Sequence, residues 1–264
     1  MTVIELYEAL EARIPRALSC PWDNDGLSVC PDKDAPVTGV YIALDATEEA
    51  VTAALDYDCN VLLTHHPLLF KGIKEISGEN TVSRKVIDLI VNGLSAMSFH
   101  TRLDTVDGGV NDALAARLGL QNISSFGDRD NAEGREMGRI GNLPTSMTPE
   151  EFATLVKEQL NAPSVLCASA DELITRVAVL GGGGDGDVPA ALAAGADAYV
   201  TGELKYHQLC DIPFEGMTLV AAGHYHTEFP VCAVLRDMVE DIFDEAEEES
   251  VPIIIGEHCR IFAV

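Results

Sequence analysis

The chain has 264 residues, 47% of them hydrophobic, and carries 43 acidic side chains against 17 lysines and arginines, for a net charge of −26. That length buries one large core or two small ones, and the short, interrupted apolar runs exclude a membrane-spanning helix. The lack of any basic stripe argues against a nucleic-acid surface, and the 7 cysteines, odd in number and without CxxC spacing, argue against both a disulfide framework and a cysteine-based zinc site.

Residues 2–13 set Val3, Ile4, Leu6, Tyr7 and Leu10 on one helical face, with Ile14 following and Pro15 and Pro21 closing the segment. This start lacks a basic region ahead of an apolar core, so a signal peptide is not expected. Pro21-Trp22-Asp23-Asn24-Asp25-Gly26-Leu27 has turn chemistry, and its tryptophan is expected to anchor the loop as a buried indole. Gly39–Asp45 reads as a strand, with Thr47 capping a helix that has Glu48 and Glu49 in its first turn. The apolar run at 60–64 predicts a buried strand ending in His65-His66-Pro67. A loop at 71–80, a helix at 82–92 and a strand at 94–99 lead into His100-Thr101-Arg102-Leu103-Asp104, and a helix follows from Val110 to Leu118.

Strand and helix alternate three times, which predicts an α/β layer with a mainly parallel sheet. The polar, glycine-rich stretch 121–146 suggests a boundary near Ser125, where a second α/β domain starts. There Thr148-Pro149-Glu150-Glu151 opens a helix running to about Leu160. Strands at 176–180, 198–201 and 218–222 follow, then a helix from Glu228 to Glu245 and a strand at 251–255.

In open parallel sheets ligands sit beyond the carboxyl ends of the strands. The groups that fall there are Asp45, His65, His66, His100 and Asp104 in the first half, and Glu203, His207, His224, His226 and Glu228 in the second. Six of the 7 histidines lie at or just after a strand end, which points to a metal site. Imidazole with carboxylate suits zinc, iron, manganese, cobalt or nickel. Adjacent side chains in an extended segment diverge, so His65 and His66 are expected to reach two ions about 3.5–4 Å apart, with Glu228 or Asp104 as bridge. Gly223 and Thr227 suggest that His224 ends a strand and Glu228 begins the next helix, rather than the two sharing a helical face.

Gly181–Gly186 fits GxGxxG between a strand and a helix. Asp185 and Asp187 would face a pyrophosphate, and no second mononucleotide half follows, so a tight turn or a weak anion contact through backbone N–H groups is expected instead of a dinucleotide site. Neither a P-loop lysine nor a Gly-x-Ser-x-Gly elbow is present.

Together, Trp22–Leu27, Leu63-Thr64-His65-His66-Pro67-Leu68, Ser98–Asp104, Thr201-Gly202-Glu203 and Ala222-Gly223-His224-Tyr225-His226-Thr227-Glu228 resemble the dinuclear-metal hexameric proteins known as GTP cyclohydrolase 1 type 2 homologues, in order and over essentially the whole chain. The resemblance implies two divalent metal ions per subunit, held by His65, His66, Asp104, His224 and a bridging Glu228. It also implies two α/β domains, residues 1–125 with about 226–264 and residues 126–225, the last helix returning to the first domain. Six subunits would form a toroid with its metal sites facing the cavity, taking a small-molecule substrate. Two departures stand out: Arg102 where the family usually has asparagine, and Asp25 where many members have a small apolar residue. Arg102 beside the site is expected to alter anion preference.

The expected activity is metal-dependent hydrolysis, with the ions activating water against a carbon or phosphorus centre, and His100 and His226 as neighbours or proton-transfer groups. GTP or another nucleotide-like substrate is implied by the resemblance alone. The alternative is a non-catalytic metal-binding or metal-trafficking assembly. The acids are dispersed, with one dense run from Asp241 to Glu249, a pattern expected of a protein adapted to a salt-rich cytoplasm.

Overall fold

A computed structural model describes residues 1–262. In chain order the elements are α1 (Val3–Arg13), β1 (Gly26–Val29), β2 (Val40–Ala43), α2 (Glu48–Asp56), β3 (Val61–Thr64), α3 (Thr81–Val91), β4 (Ser95–Ser98), α4 (Thr101–Thr105), α5 (Val110–Arg117), β5 (Gln121–Phe126), β6 (Gly138–Met147), α6 (Pro149–Gln159), β7 (Leu166–Ala168), β8 (Ile174–Leu180), α7 (Val188–Ala193), β9 (Ala198–Thr201), α8 (Tyr206–Asp211), β10 (Thr218–Ala221), α9 (His224–Glu228), α10 (Val231–Glu245) and β11 (Ile253–Ile255). No helix among the described residues is long and apolar enough to cross a membrane.

The first unit comprises Met1–Leu103 and Cys232–His258. Its sheet has the order β1-β4-β3-β2-β11, parallel throughout except for the antiparallel edge strand β1. The strands β2, β3 and β4 are buried along their whole length, β2 and β3 as apolar runs with little alternation require and β4 with Ser95 and Ser98 buried beside Ala96 and Met97. Ala50, Val51 and Ala54 of α2 and Val86 and Leu89 of α3 join Leu62 and Ala96 in one core. Thr47 caps α2 by accepting from the Ala50 amide at 3.0 Å. The last long helix belongs to this unit: Arg13 of α1 reaches the Met238 carbonyl at 3.3 Å and the Glu245 carboxylate at 2.7 Å.

The second unit is built on Asp104–Val231. Its six-stranded sheet runs β5-β6-β8-β9-β10-β7, with β8, β9 and β10 parallel and the outer pairs antiparallel. Residues 104–125 lie in this unit because Leu114, Ala115, Leu118 and Leu120 share a core with Phe152, Val156, Val177 and Val200. The stretch 121–146, read from sequence as a polar connection, supplies β5 and β6. Five of the six residues of β5 are exposed, as an edge strand allows, and that is why apolar periodicity did not reveal it. Thr148 and Glu151 form the capping box of α6, with Pro149 in the first turn.

Of the cysteines, Cys20, Cys59 and Cys232 are buried, while Cys167 and Cys210 are exposed.

Candidate metal centre

In the first unit the carboxyl ends of β2, β3 and β4 deliver the donors. After Thr64 the chain leaves the extended conformation. The Thr64 hydroxyl donates to the His66 carbonyl at 2.8 Å, and the His66 amide pairs with the Leu44 carbonyl at 3.0 Å. Adjacent side chains therefore do not diverge as a regular strand would require. The ring centroids of His65 and His66 are 4.8 Å apart, and His100 stands 5.2 and 5.5 Å from them. One ligating nitrogen from each ring lies within 4.8 Å of the other two, a grouping able to hold a metal ion.

Each of these rings is oriented by an oxygen at Nδ1: the Phe99 carbonyl for His65 at 2.9 Å, Asp45 for His66 at 2.8 Å, and Asp23 for His100 at 2.9 Å. A carbonyl or carboxylate only accepts, so the proton sits on Nδ1 and coordination falls to Nε2. This is the usual arrangement around metal-ligating histidines. Burial acts against the Asp23 carboxylate, but the hydrogen bond and charge of His100 and two hydrogen bonds from Thr101 hold it far below the ordinary carboxyl range.

The turn at 21–27 is thus held by its carboxylates. Asp23 accepts from His100 and Thr101, while Asp25 accepts from the His100 amide at 3.0 Å and from Arg102 at 2.8 Å. Trp22 is exposed, contrary to the buried anchor expected from sequence. Arg102 is wholly buried, sits over the Phe99 ring and binds Asp25, Glu11 and the Ile14 carbonyl. The two departures from the family pattern are therefore partners in one buried ion pair. Arg102 serves to fix the Asp25 turn under His100, rather than to attract an anion.

In the second unit Gly223, at φ +90°, turns the chain out of β10 directly into the five-residue helix α9. His224 and Glu228 share that single helical turn, Nε2 to Oε2 3.2 Å, whereas the sequence suggested one on a strand and the other on the next helix. The break falls later, between α9 and α10, because Pro230 cannot continue the hydrogen-bond ladder. His224 Nδ1 is 3.0 Å from Glu203, which fixes its proton there. Nε2 and the buried Glu228 carboxylate are then two acceptors facing each other, and a cation or a proton has to lie between them. The donor set fits a metal ion.

The glycine-rich loop is what makes room for that carboxylate. A Cβ on Gly182, at φ +66°, would overlap Oε1 of Glu228 and come within 3.0 Å of His224 Nε2; one on Gly202 would come within 2.7 Å of the His224 Cα. The loop amides are satisfied internally: Gly181 by Asn111 at 2.8 Å, Gly182 by Thr227 at 3.0 Å and Gly184 by Thr201 at 3.1 Å. Those three amides serve the protein's own side chains rather than a phosphate, so the GxGxxG spacing marks the close-packed turn rather than an anion cradle.

Asn111, wholly buried, also donates to the carbonyls of Asp104 and Met137, tying the Asp104 segment to the loop. Thr201 and Thr227 fall inside the family-like motifs, but Asn111 has no local signal in the sequence. His226 faces the Tyr225 ring and the Leu160 carbonyl, and burial lowers its pKa. His207 lies exposed on α8.

The family model described as Duf34/NIF3 (NGG1p interacting factor 3) matches residues 1–262. A GTP cyclohydrolase 1 type 2 homolog from Clostridium acetobutylicum is 33% identical over 242 residues, 91% of this chain and 90% of that protein. A protein of the same name from Clostridium perfringens is 32% identical over 94% of this chain and 95% of its own length. Among solved structures, the Staphylococcus aureus hypothetical protein SA1388 superimposes with a TM-score of 0.88 at 29% identity, covering 97% of this chain and 96% of that one.

Proposed function

Because the chain belongs to the Duf34/NIF3 (NGG1p interacting factor 3) family, we propose that it is a dinuclear-metal hydrolase in which His65, His66, Asp104, His224 and a bridging Glu228 hold two divalent ions. The observation that carries this reading is the shared orientation of His65, His66 and His224, each with Nδ1 on an oxygen, which turns Nε2 toward coordination. When bound, such a pair of ions activates water and polarises the substrate atom that it attacks. The protein's own contribution is positional. Asp45 and the Phe99 carbonyl hold the His-His pair, Glu203 holds His224, and Gly182 gives the Glu228 carboxylate its place. Asp23 and Asp25 set His100 beside the pair to hydrogen-bond substrate or water. The working form is a cytoplasmic homo-oligomer, and the relatives' name makes GTP the first substrate to try.

The test is a hydrolysis survey of metal-loaded protein at high salt, with GTP, phosphoesters and amides as substrates and metal off-rates measured alongside. Turnover that disappears on chelation and returns with metal is expected. Purine-ring opening at C8, read as formate release, would identify a cyclohydrolase; an inert GTP beside a hydrolysed phosphoester or amide would remove that label and keep the hydrolase. Rapidly exchanging metal with no turnover in any class would leave a metal carrier instead.

A further inference from the structure

Two large aromatic side chains stand exposed at the rim of the histidine triad. Trp22 is 56% exposed and Phe70 45% exposed. Their ring centroids are 6.1 Å apart with planes at 73°, and both present themselves to His100, Trp22 at 6.2 Å and 75° and Phe70 at 6.1 Å and 87°. The rings therefore form a corner of two nearly perpendicular faces with imidazole at its base.

The corner is preformed. Asn24 Nδ2 donates to the Leu69 carbonyl, lacing the two loops together beside the two rings, and Asp23, next to Trp22, is locked onto His100 and Thr101. Leaving two such rings in water forgoes the burial that usually places them inside. Two apolar faces meeting at a polar floor match a ligand that is flat and apolar on its faces and polar at its edge. We propose that Trp22 and Phe70 form the subsite for a heteroaromatic ring of the substrate, stacking on one face and edge-on to the other, with its polar edge turned toward His100. The inference rests on the hydrolase reading only for what happens to the ring once it is bound.

Trp22 is the only tryptophan in the chain, so its emission reports on this corner alone. Guanosine, pterin and uridine are titrated into the full-length, metal-loaded protein, with ribose 5-phosphate as the ringless control and metal content measured on the same samples. Saturable quenching by at least one of the rings is expected, with no response to ribose 5-phosphate. Phe70→Leu, a surface change that keeps an apolar side chain but removes the aromatic face, should weaken that binding about five- to a hundredfold. Full metal content with no saturable quenching by any ring, or emission that depends on protein concentration and ignores the rings (the corner covered by a second copy), would overturn the subsite and leave the metal reading standing. Quenching in samples that fail to retain metal would do the reverse.

Discussion

Glu228→Gln is expected to strip both ions from the protein while making the metal-free form no less stable. The carboxylate is buried between the Gly181–Gly182 backbone and His224, whose Nε2 lies 3.2 Å away. Glutamine keeps the volume and removes the charge. Without metal, a proton shared with His224 has to take the cation's place, whereas a neutral amide can itself donate to Nε2, so the variant's metal-free form should be no less stable. With metal, the balance reverses, because ligand at about a thousand times its dissociation constant adds about 4 kcal/mol to the native state. Wild-type protein should therefore melt at a higher temperature with metal than with chelator, and the variant should melt at the same temperature in both. Metal analysis after gel filtration provides the second reading. Two equivalents retained by Glu228→Gln would refute the bridge.

Gly182→Ala should be nearly as damaging through one methyl group, while Gly183→Ala should be silent. The Cβ at 182 would occupy the space of Glu228 Oε1 and crowd His224 Nε2, and the φ of +66° is one that alanine adopts at a cost of about 1–2 kcal/mol. Gly183 has φ −89°, and a methyl group there would meet nothing within 4 Å. Displacing a ligand should exceed the about 10–100-fold loss of affinity typical of disturbing a ligand's neighbours. Competitive titration with a fluorescent chelator measures the difference between the two alanines. Equal affinities would mean that the loop does not shape the site.

The contrast between those two glycines shows what the sequence could and could not convey. The apolar runs ending at Thr64 and Ser98 announce buried strands, and histidines placed just beyond them are visible by counting along one dimension. So are the capping residues Thr47 and Thr148, whose partners lie three residues away. Gly182 is different: the atom that demands its lack of a side chain belongs to Glu228, 46 positions later, and only the loop's spacing was legible. The edge strand β5 was missed because its exposed residues have no reason to be apolar. Trp22 was misplaced because a hydrophobic residue in a turn invites burial, whereas the turn is held by Asp23 and Asp25, and the indole is left at the surface. Arg102 and Asp25 stand as two separate departures in the sequence because their 2.8 Å contact joins residues far apart along the chain.

Anomalous scattering from crystals of the protein grown with its native metal, recorded at the manganese, iron, cobalt, nickel and zinc edges, tests the dinuclear centre most directly. Two peaks per chain, about 3.5–4 Å apart, are expected, one against His65, one against His66, with Glu228 touching both. A single peak, or two peaks with His65 and His66 on the same ion and Glu228 on neither, would contradict it.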